Sequence, residues 1–215
     1  MAKTLIIGDL HLPFEKKGYF EHCKNIYKKY KCDDVIFIGD IADNHFASFH
    51  LTDPSAMGGE DELDLATEKL KKWYKEWPDA TVILGNHDRI VTRKQKMANL
   101  PSKWIRDYNE VLGTPGWKWE VEYELDGVLY FHGEGGSART MVKHYGQSVV
   151  QGHRHSEGYL EYYAGPGNIN FAMQVGCGVD RTSYALEYAR AFKHQFLACG
   201  VVVDGKTAHL EPMVL

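Results

Sequence analysis

The sequence is short of the features that mark exported, membrane-spanning or nucleic-acid-coating proteins. Only four cysteines occur in 215 residues, Cys23, Cys32, Cys177 and Cys199, and none belongs to a CxxC pair. A disulfide framework is therefore not expected, and the thiols should be reduced and partly buried, as in a cytosolic protein. No apolar run is long enough to cross a membrane. The opening MAKTLIIGDL lacks the pattern of a signal peptide, so the expected location is the cytoplasm, with no membrane partner. Positive charge is not in excess: the net charge is −4, which argues against a protein that coats nucleic acid. It does not exclude an enzyme that acts on one, because a bound metal supplies positive charge locally. There is no linker, low-complexity stretch or strong repeat, and the length suits one domain spanning residues 1–215. A chain of this size can bury a core without disulfides or structural metal.

What is present is a regular alternation. Residues 3–8 form a short apolar run ending at Gly8, and residues 35–40 and 81–86 repeat that pattern with Gly39-Asp40 and Gly85-Asn86. Short apolar runs bounded by turn residues read as buried strands. Between them, residues 18–30 and 60–77 carry aromatic and aliphatic side chains at helical spacing. The first 90 residues therefore predict β-α-β-α-β and a parallel sheet. The second half reads mainly as strands. Residues 117–125 alternate as one half-buried strand that pairs with residues 128–133 through an Asp126-Gly127 turn. Residues 148–152 and 168–176 are further strands, and residues 199–215 are a hairpin turning at Asp204-Gly205. The expectation is an α/β fold with two sheets and most helices in the first half.

Eleven histidines are present, and their placement matters more than their number. Five predicted strands end in Gly8-Asp9-Leu10-His11, Gly39-Asp40-Ile41-Ala42-Asp43, Gly85-Asn86-His87-Asp88, Phe131-His132-Gly133 and Gly152-His153-Arg154-His155. In open α/β sheets the working site lies at the carboxyl ends of the strands, so these segments converge. They offer carboxylate, imidazole and amide ligands without thiolate, a donor set for borderline transition metals rather than structural zinc. Asp9 and His11, like His153 and His155, lie two apart as the chain leaves a strand and can turn to one side. The neighbouring glycines permit sharp turns and close approach. By contrast His22, His144, His194 and His209 read as packing or surface residues.

The order DxH, GDxxD, GNHD, H, GHxH across residues 8–155 resembles the calcineurin-like metallophosphoesterase superfamily. The resemblance implies two facing mixed β-sheets flanked by helices, an α-β-β-α sandwich. It implies that Asp9, His11 and His155 hold one metal, that Asn86, His132 and His153 hold a second, and that Asp40 bridges them. His87 would face the substrate and Asp43 would orient it. The cofactors would be two divalent ions, with Mn expected and Fe, Zn, Ni and Co also suited to these ligands. Such ions, roughly 3.5–4 Å apart, clamp a phosphoryl oxygen and share the hydroxide that attacks phosphorus, while His87 assists the leaving oxygen.

Three functions compete. A phosphodiesterase acting on a nucleotide or nucleic acid is favoured by the small size, the GHxH ending and the basic segment 89–106, which has six basic residues and no acidic one. That segment reads by default as a solvated helix face, but it begins beside His87 and can present Arg89, Arg93 or Lys94 to a polyanion. A phosphomonoesterase, including a protein Ser/Thr phosphatase, is the alternative. Those phosphatases continue the second motif as GDxxDRG, whereas Asp43 here is followed by Asn44-His45. A non-catalytic binding scaffold is the third reading, and the presence of His87 weighs against it. His45 and Arg89 are candidate substrate contacts, and His50, Arg139, Arg154 and Arg181 are weaker ones. Tyr159, Tyr162 and Tyr163 are either a pocket rim or core. No motif specifies the oligomeric state.

Overall fold

A computed structural model describes residues 2–49, 56–180 and 194–214. Two mixed sheets face one another. The first has the order β11-β10-β1-β2-β3-β4, built from β1 (Lys3–Ile7), β2 (Asp34–Phe37), β3 (Thr81–Ile83), β4 (Lys118–Glu120), β10 (Ala198–Val203) and β11 (Thr207–Pro212). Its strands β1 to β4 run parallel, β10 is antiparallel to β1, and β11, antiparallel to β10, closes the edge as a hairpin. The second has the order β5-β6-β7-β9-β8, from β5 (Glu122–Leu125), β6 (Val128–Phe131), β7 (Ser148–Gln151), β8 (Tyr159–Gly165) and β9 (Asn168–Gln174).

Strand alternation sorts the core into layers. Ile6, Ile36, Ile38 and Ile83 point from the first sheet toward Tyr130, Val150, Phe171 and Met173 of the second. Leu5, Ile7, Val35, Phe37 and Val82 point the other way, toward α1 (Tyr19–Tyr30) and α2 (Gly59–Glu76). On the far side, Leu129, Val149 and Ala172 meet Ala138 and Val142 of α5 (Ala138–Tyr145). The result is the expected α-β-β-α sandwich. Two shorter helices, α3 (Ile90–Met97) and α4 (Tyr108–Leu112), lie between β3 and β4.

The strand expected over residues 117–125 is divided. Lys118–Glu120 pairs in parallel with β3 in the first sheet, and Glu122–Leu125 pairs antiparallel with β6 in the second. Val121, 62% exposed, is where the chain changes sheets. A period of two reports which side chains are sheltered, and it is blind to which sheet supplies the partner. The Asp126-Gly127 and Asp204-Gly205 turns form as expected, all four residues with positive φ. Tyr159, Tyr162 and Tyr163 lie on β8, an edge strand of the second sheet. Among the described residues no helix is long and apolar enough to cross a membrane.

Trp73 anchors the helix layer. It is fully buried and its ring lies 5.0 Å from Phe20, 5.9 Å from Phe37 and 5.8 Å from Trp77 between centroids. Trp73→Ala should cost about 3–5 kcal/mol, read as a lower urea midpoint with the slope unchanged. Trp73→Phe should cost less, because the Trp73 Nε1 is buried without a hydrogen-bond partner among the described residues.

Candidate metal centre

The carboxyl ends of β1, β2, β3, β6 and β7 deliver one cluster. His11 (φ 48°), Asp40 (φ 49°) and His153 (φ 68°) adopt left-handed backbone, which non-glycine residues keep only where their surroundings impose it, and which gathers at functional sites. The surroundings here are main-chain hydrogen bonds: the Leu10 and His11 N–H groups both donate to the Asp40 carbonyl, at 3.1 and 2.8 Å.

The side chains form two sets that meet at Asp40. Asp9, His11, Asp40 and His155 offer ligand atoms within 4.8 Å of one another, and Asp40, His132 and His153 do the same. On one side His11 Nε2 lies 3.3 Å from Asp40 Oδ2 and 3.2 Å from His155 Nε2, which is 3.0 Å from Asp9 Oδ2. On the other, His132 Nε2 lies 3.1 Å from the same Asp40 Oδ2 and 3.0 Å from Asn86 Oδ1. The seven residues singled out as ligands in the sequence are thus neighbours. A third set joins His11, Asp43 and His87.

The donors suit cations. Asp9 Oδ1 is buried with no hydrogen-bond partner among the described residues, a costly state unless an ion completes it. The charges of the cluster point the same way. Burial opposes charge on His11, yet Asp40 and Asp43 hold its pKa well above the ordinary value. Burial likewise opposes His132, which Asp40 and Asp9 raise to about 9. Burial would raise Asp40, but His132, His87 and His11 hold it well below the carboxylate range. For His153, burial and then His132 push the value down to about 4. The raised values of His11 and His132 mark a buried negative field that a cation would also satisfy.

Outer contacts aim these rings. His132 Nδ1 donates to the Ile38 carbonyl at 3.0 Å, leaving Nε2 for the cluster. His11 Nδ1 meets Asp43 Oδ1 at 2.5 Å. His87 Nδ1 donates to the main-chain carbonyl of Asp43 at 2.6 Å, while the Asp43 carboxylate is 3.5 Å away. Asp43 therefore holds His87 chiefly through its backbone, because its carboxylate is engaged by His11. Asp88, to which the sequence reading gave no role, is buried and accepts from the N–H groups of Ile41, Ala42 and Gly85. It ties the loop after β2 to the loop after β3, and the only signal for it was the last letter of GNHD. Burial, followed by the charge of Asp40, raises its pKa to about 7.

The candidate substrate contacts are placed as follows. Arg89 pairs with Glu134 and its Nε donates to the Gly85 carbonyl at 3.1 Å. His45 is buried in the single turn His45–Ala47, with its N–H on Glu62 Oε1 at 2.7 Å. Arg154 pairs with Glu157, and Arg139 pairs with Glu161 while lying 3.7 Å over the Tyr159 ring. His50 and Arg181 lie outside the described residues.

One family profile, described as calcineurin-like phosphoesterase, matches residues 2–181. A search of curated proteins returns no match. Among solved structures the chain is similar to Vacuolar Protein Sorting 29 from Cryptosporidium parvum, with 14% identity, coverage of 99% of this chain and 97% of that one, and a TM-score of 0.49. It is also similar to YfcE, a phosphoesterase from E. coli, with 12% identity, coverage of 93% and 87%, and a TM-score of 0.46.

Two expectations follow from the geometry. A Cβ on Gly85 would fall on the Asp40 carboxylate and main-chain nitrogen. Gly85→Ala should therefore weaken Mn²⁺ binding about 10–100-fold, measured by calorimetry; unchanged affinity would mean that Asp40 is not part of the binding set. Because His11 and His132 have raised pKa values, a cation must displace their protons. Mn²⁺ affinity should rise from pH 7 toward pH 9, with proton release visible as a dependence of the binding heat on buffer ionisation.

Proposed function

Because the chain belongs to the calcineurin-like phosphoesterase family, a family of metal-dependent phosphoester hydrolases, we propose that it hydrolyses a phosphodiester, of a nucleotide or nucleic acid, at a binuclear centre. Asp9, His11 and His155 would hold one divalent ion, Asn86, His132 and His153 would hold the other, and Asp40 would serve both. The observation that supports this is the pair of side-chain sets sharing one carboxylate oxygen, Asp40 Oδ2. When bound, the two ions would supply Lewis acidity and an activated water, and Mn²⁺ suits the mixed oxygen and nitrogen donors.

The surrounding charge favours a diester over a monoester. A dianionic monoester needs fixed cations around its oxygens, and here the second motif continues with Asn44 in place of an arginine. Asn44 instead donates from Nδ2 to the His87 carbonyl at 3.1 Å. Arg89, the nearest arginine in sequence, is neutralised by Glu134. A monoanionic diester asks less of this site. In hydrolysis a water oxygen bonds to phosphorus, the bond to the leaving oxygen breaks, and that oxygen gains a proton. His87 is the group placed to assist. Its Nδ1 proton is committed to the Asp43 carbonyl, which leaves Nε2 to meet the substrate. Burial and then the charge of His11 lower its pKa, so its imidazole is neutral at pH 7 until an anionic substrate arrives.

Metal-depleted protein resupplied with Mn²⁺ should cleave bis-(p-nitrophenyl) phosphate faster than p-nitrophenyl phosphate. The reverse preference would make it a phosphomonoesterase, and activity on neither with metal bound would favour a scaffold. His87→Asn should keep its metal by elemental analysis and lose about 10²–10⁴-fold in rate, whereas Asp40→Asn should lose metal and rate together.

A further inference from the structure

Beside the metal centre lies a second concavity that hydrolysis itself does not use. It is a cleft of about 360 Å³ between α2, α3 and α4, within the roughly 300–1,000 Å³ of small-ligand sites. Its walls are almost wholly apolar. Ala42, Asn44 and Asp88, each less than a tenth exposed, form its floor, and Phe46, Val91 and Trp104 stand at its rim. The floor belongs to the catalytic loops. Asn44 follows Asp43 and bonds the His87 carbonyl, and Asp88 follows His87 and braces Ile41 and Ala42. An occupant of the cleft and a phosphate at the metal centre are therefore neighbours.

The rim is aromatic, and α3, which lines the cleft with Val91 and Thr92, carries positive charge at the next two positions, Arg93 and Lys94. Trp104 is 79% exposed, a large apolar ring presented to water. On α3, Arg93 and Lys94 lie 4.8 and 5.4 Å from the centroid of Phe49, itself half exposed. Of the six cations in residues 89–106, Arg89 is held by Glu134 and Arg106 by Glu110. Arg93, Lys94, Lys96 and Lys103 make no ion pair among the described residues. In a chain of net charge −4, this local surplus calls for an anion, while the cleft calls for a flat apolar group. An uncharged lipid chain would meet only the second demand and an alkyl phosphate would meet both without a ring for Trp104, whereas a nucleotide strand meets both and adds bases that stack while its phosphates pair with cations.

We propose that the cleft receives an unpaired nucleobase of the substrate, stacked on Trp104, with Arg93 and Lys94 holding an adjacent phosphate, so that the enzyme acts on single-stranded or frayed nucleic acid. The identification as substrate site rests on the phosphodiesterase reading; the binding does not. A base inside a duplex cannot reach an enclosed cleft without leaving its stack, so single strands bind better than duplexes. Stacking tolerates sequence, because every base has a π-face.

Binding is tested without turnover, by calorimetry of the full-length His87→Asn protein with hexathymidylate. Adding Trp104→Ala, an exposed position whose loss should leave the melting temperature unchanged, should raise Kd roughly 5- to 150-fold. It should not alter Kd for a hexamer of abasic deoxyribose phosphates. Val91→Asp, at the rim, should weaken the thymidylate in the same way. Equal Kd for thymidylate and abasic hexamers, or no effect of Trp104→Ala, would overturn the proposal, as would competition by n-octyl phosphate but not by thymidine 5′-phosphate. On the active protein, Trp104→Ala should raise KM for thymidine 5′-(p-nitrophenyl phosphate) and leave methyl p-nitrophenyl phosphate unchanged. If neither diester is cleaved by the wild-type protein, the phosphodiesterase reading fails while the calorimetry still decides the cleft.

Discussion

A single buried carboxylate, Asp40, organises the strand ends around it. Its Oδ2 faces imidazole nitrogens from both sides, its Oδ1 accepts the His87 N–H at 2.8 Å, and its carbonyl accepts two N–H groups from the loop after β1. Three strands are thereby held in register at their carboxyl ends by one residue with left-handed backbone. The conformation is expensive for aspartate, and Gly39 before it, at φ 114°, lets the turn form. A Cβ at Gly39 would strike His132 Nδ1. Close approach of backbone to ligand shell is thus a condition of the cluster, and it explains why glycine precedes or follows so many of the candidate ligands.

That constraint also accounts for what the sequence makes legible. A strand running into a polar residue beside a glycine is a local pattern, and the five segments that carry it do meet, with Asp9, His11, Asp40, Asn86, His132, His153 and His155 within one cluster. The layered core is equally legible, since Leu5 and Ile7 against Ile6, or Val35 and Phe37 against Ile36, sort by simple alternation. Illegible are the relations that depend on partners. Residues 117–125 keep their alternation across a change of sheet, so nothing local marks the break at Val121. The β8 strand is an edge whose tyrosines are only partly sheltered, and its pattern is correspondingly faint.

The braces behind the cluster are illegible for a different reason. A carboxylate that accepts three main-chain N–H groups, as Asp88 does, looks in sequence like any solvated turn residue. Asp43 is subtler: its carboxylate serves His11 and its carbonyl serves His87, so one residue orients two rings through two different groups. Only the side chain is visible to sequence reasoning. Main-chain acceptors carry no letter of their own, yet here they set which nitrogen of His87 and of His132 is left for chemistry.

The distribution of charge connects the cluster to its surroundings. An acidic chain that handles an anionic substrate must place positive potential locally, and low-dielectric walls magnify what is placed. The metal centre is the first such place, where buried carboxylates recruit protons onto His11 and His132 until a cation replaces them. The α3 face is the second, with Arg93 and Lys94 unpaired among the described residues. Between the two lies Arg89, spent on Glu134. The apolar cleft adjoins both, since Ala42, Asn44 and Asp88 of the loops behind the cluster and Val91 and Thr92 of α3 line it; under the proposed reading a nucleotide strand would turn phosphates toward the charged regions and a base into the cleft.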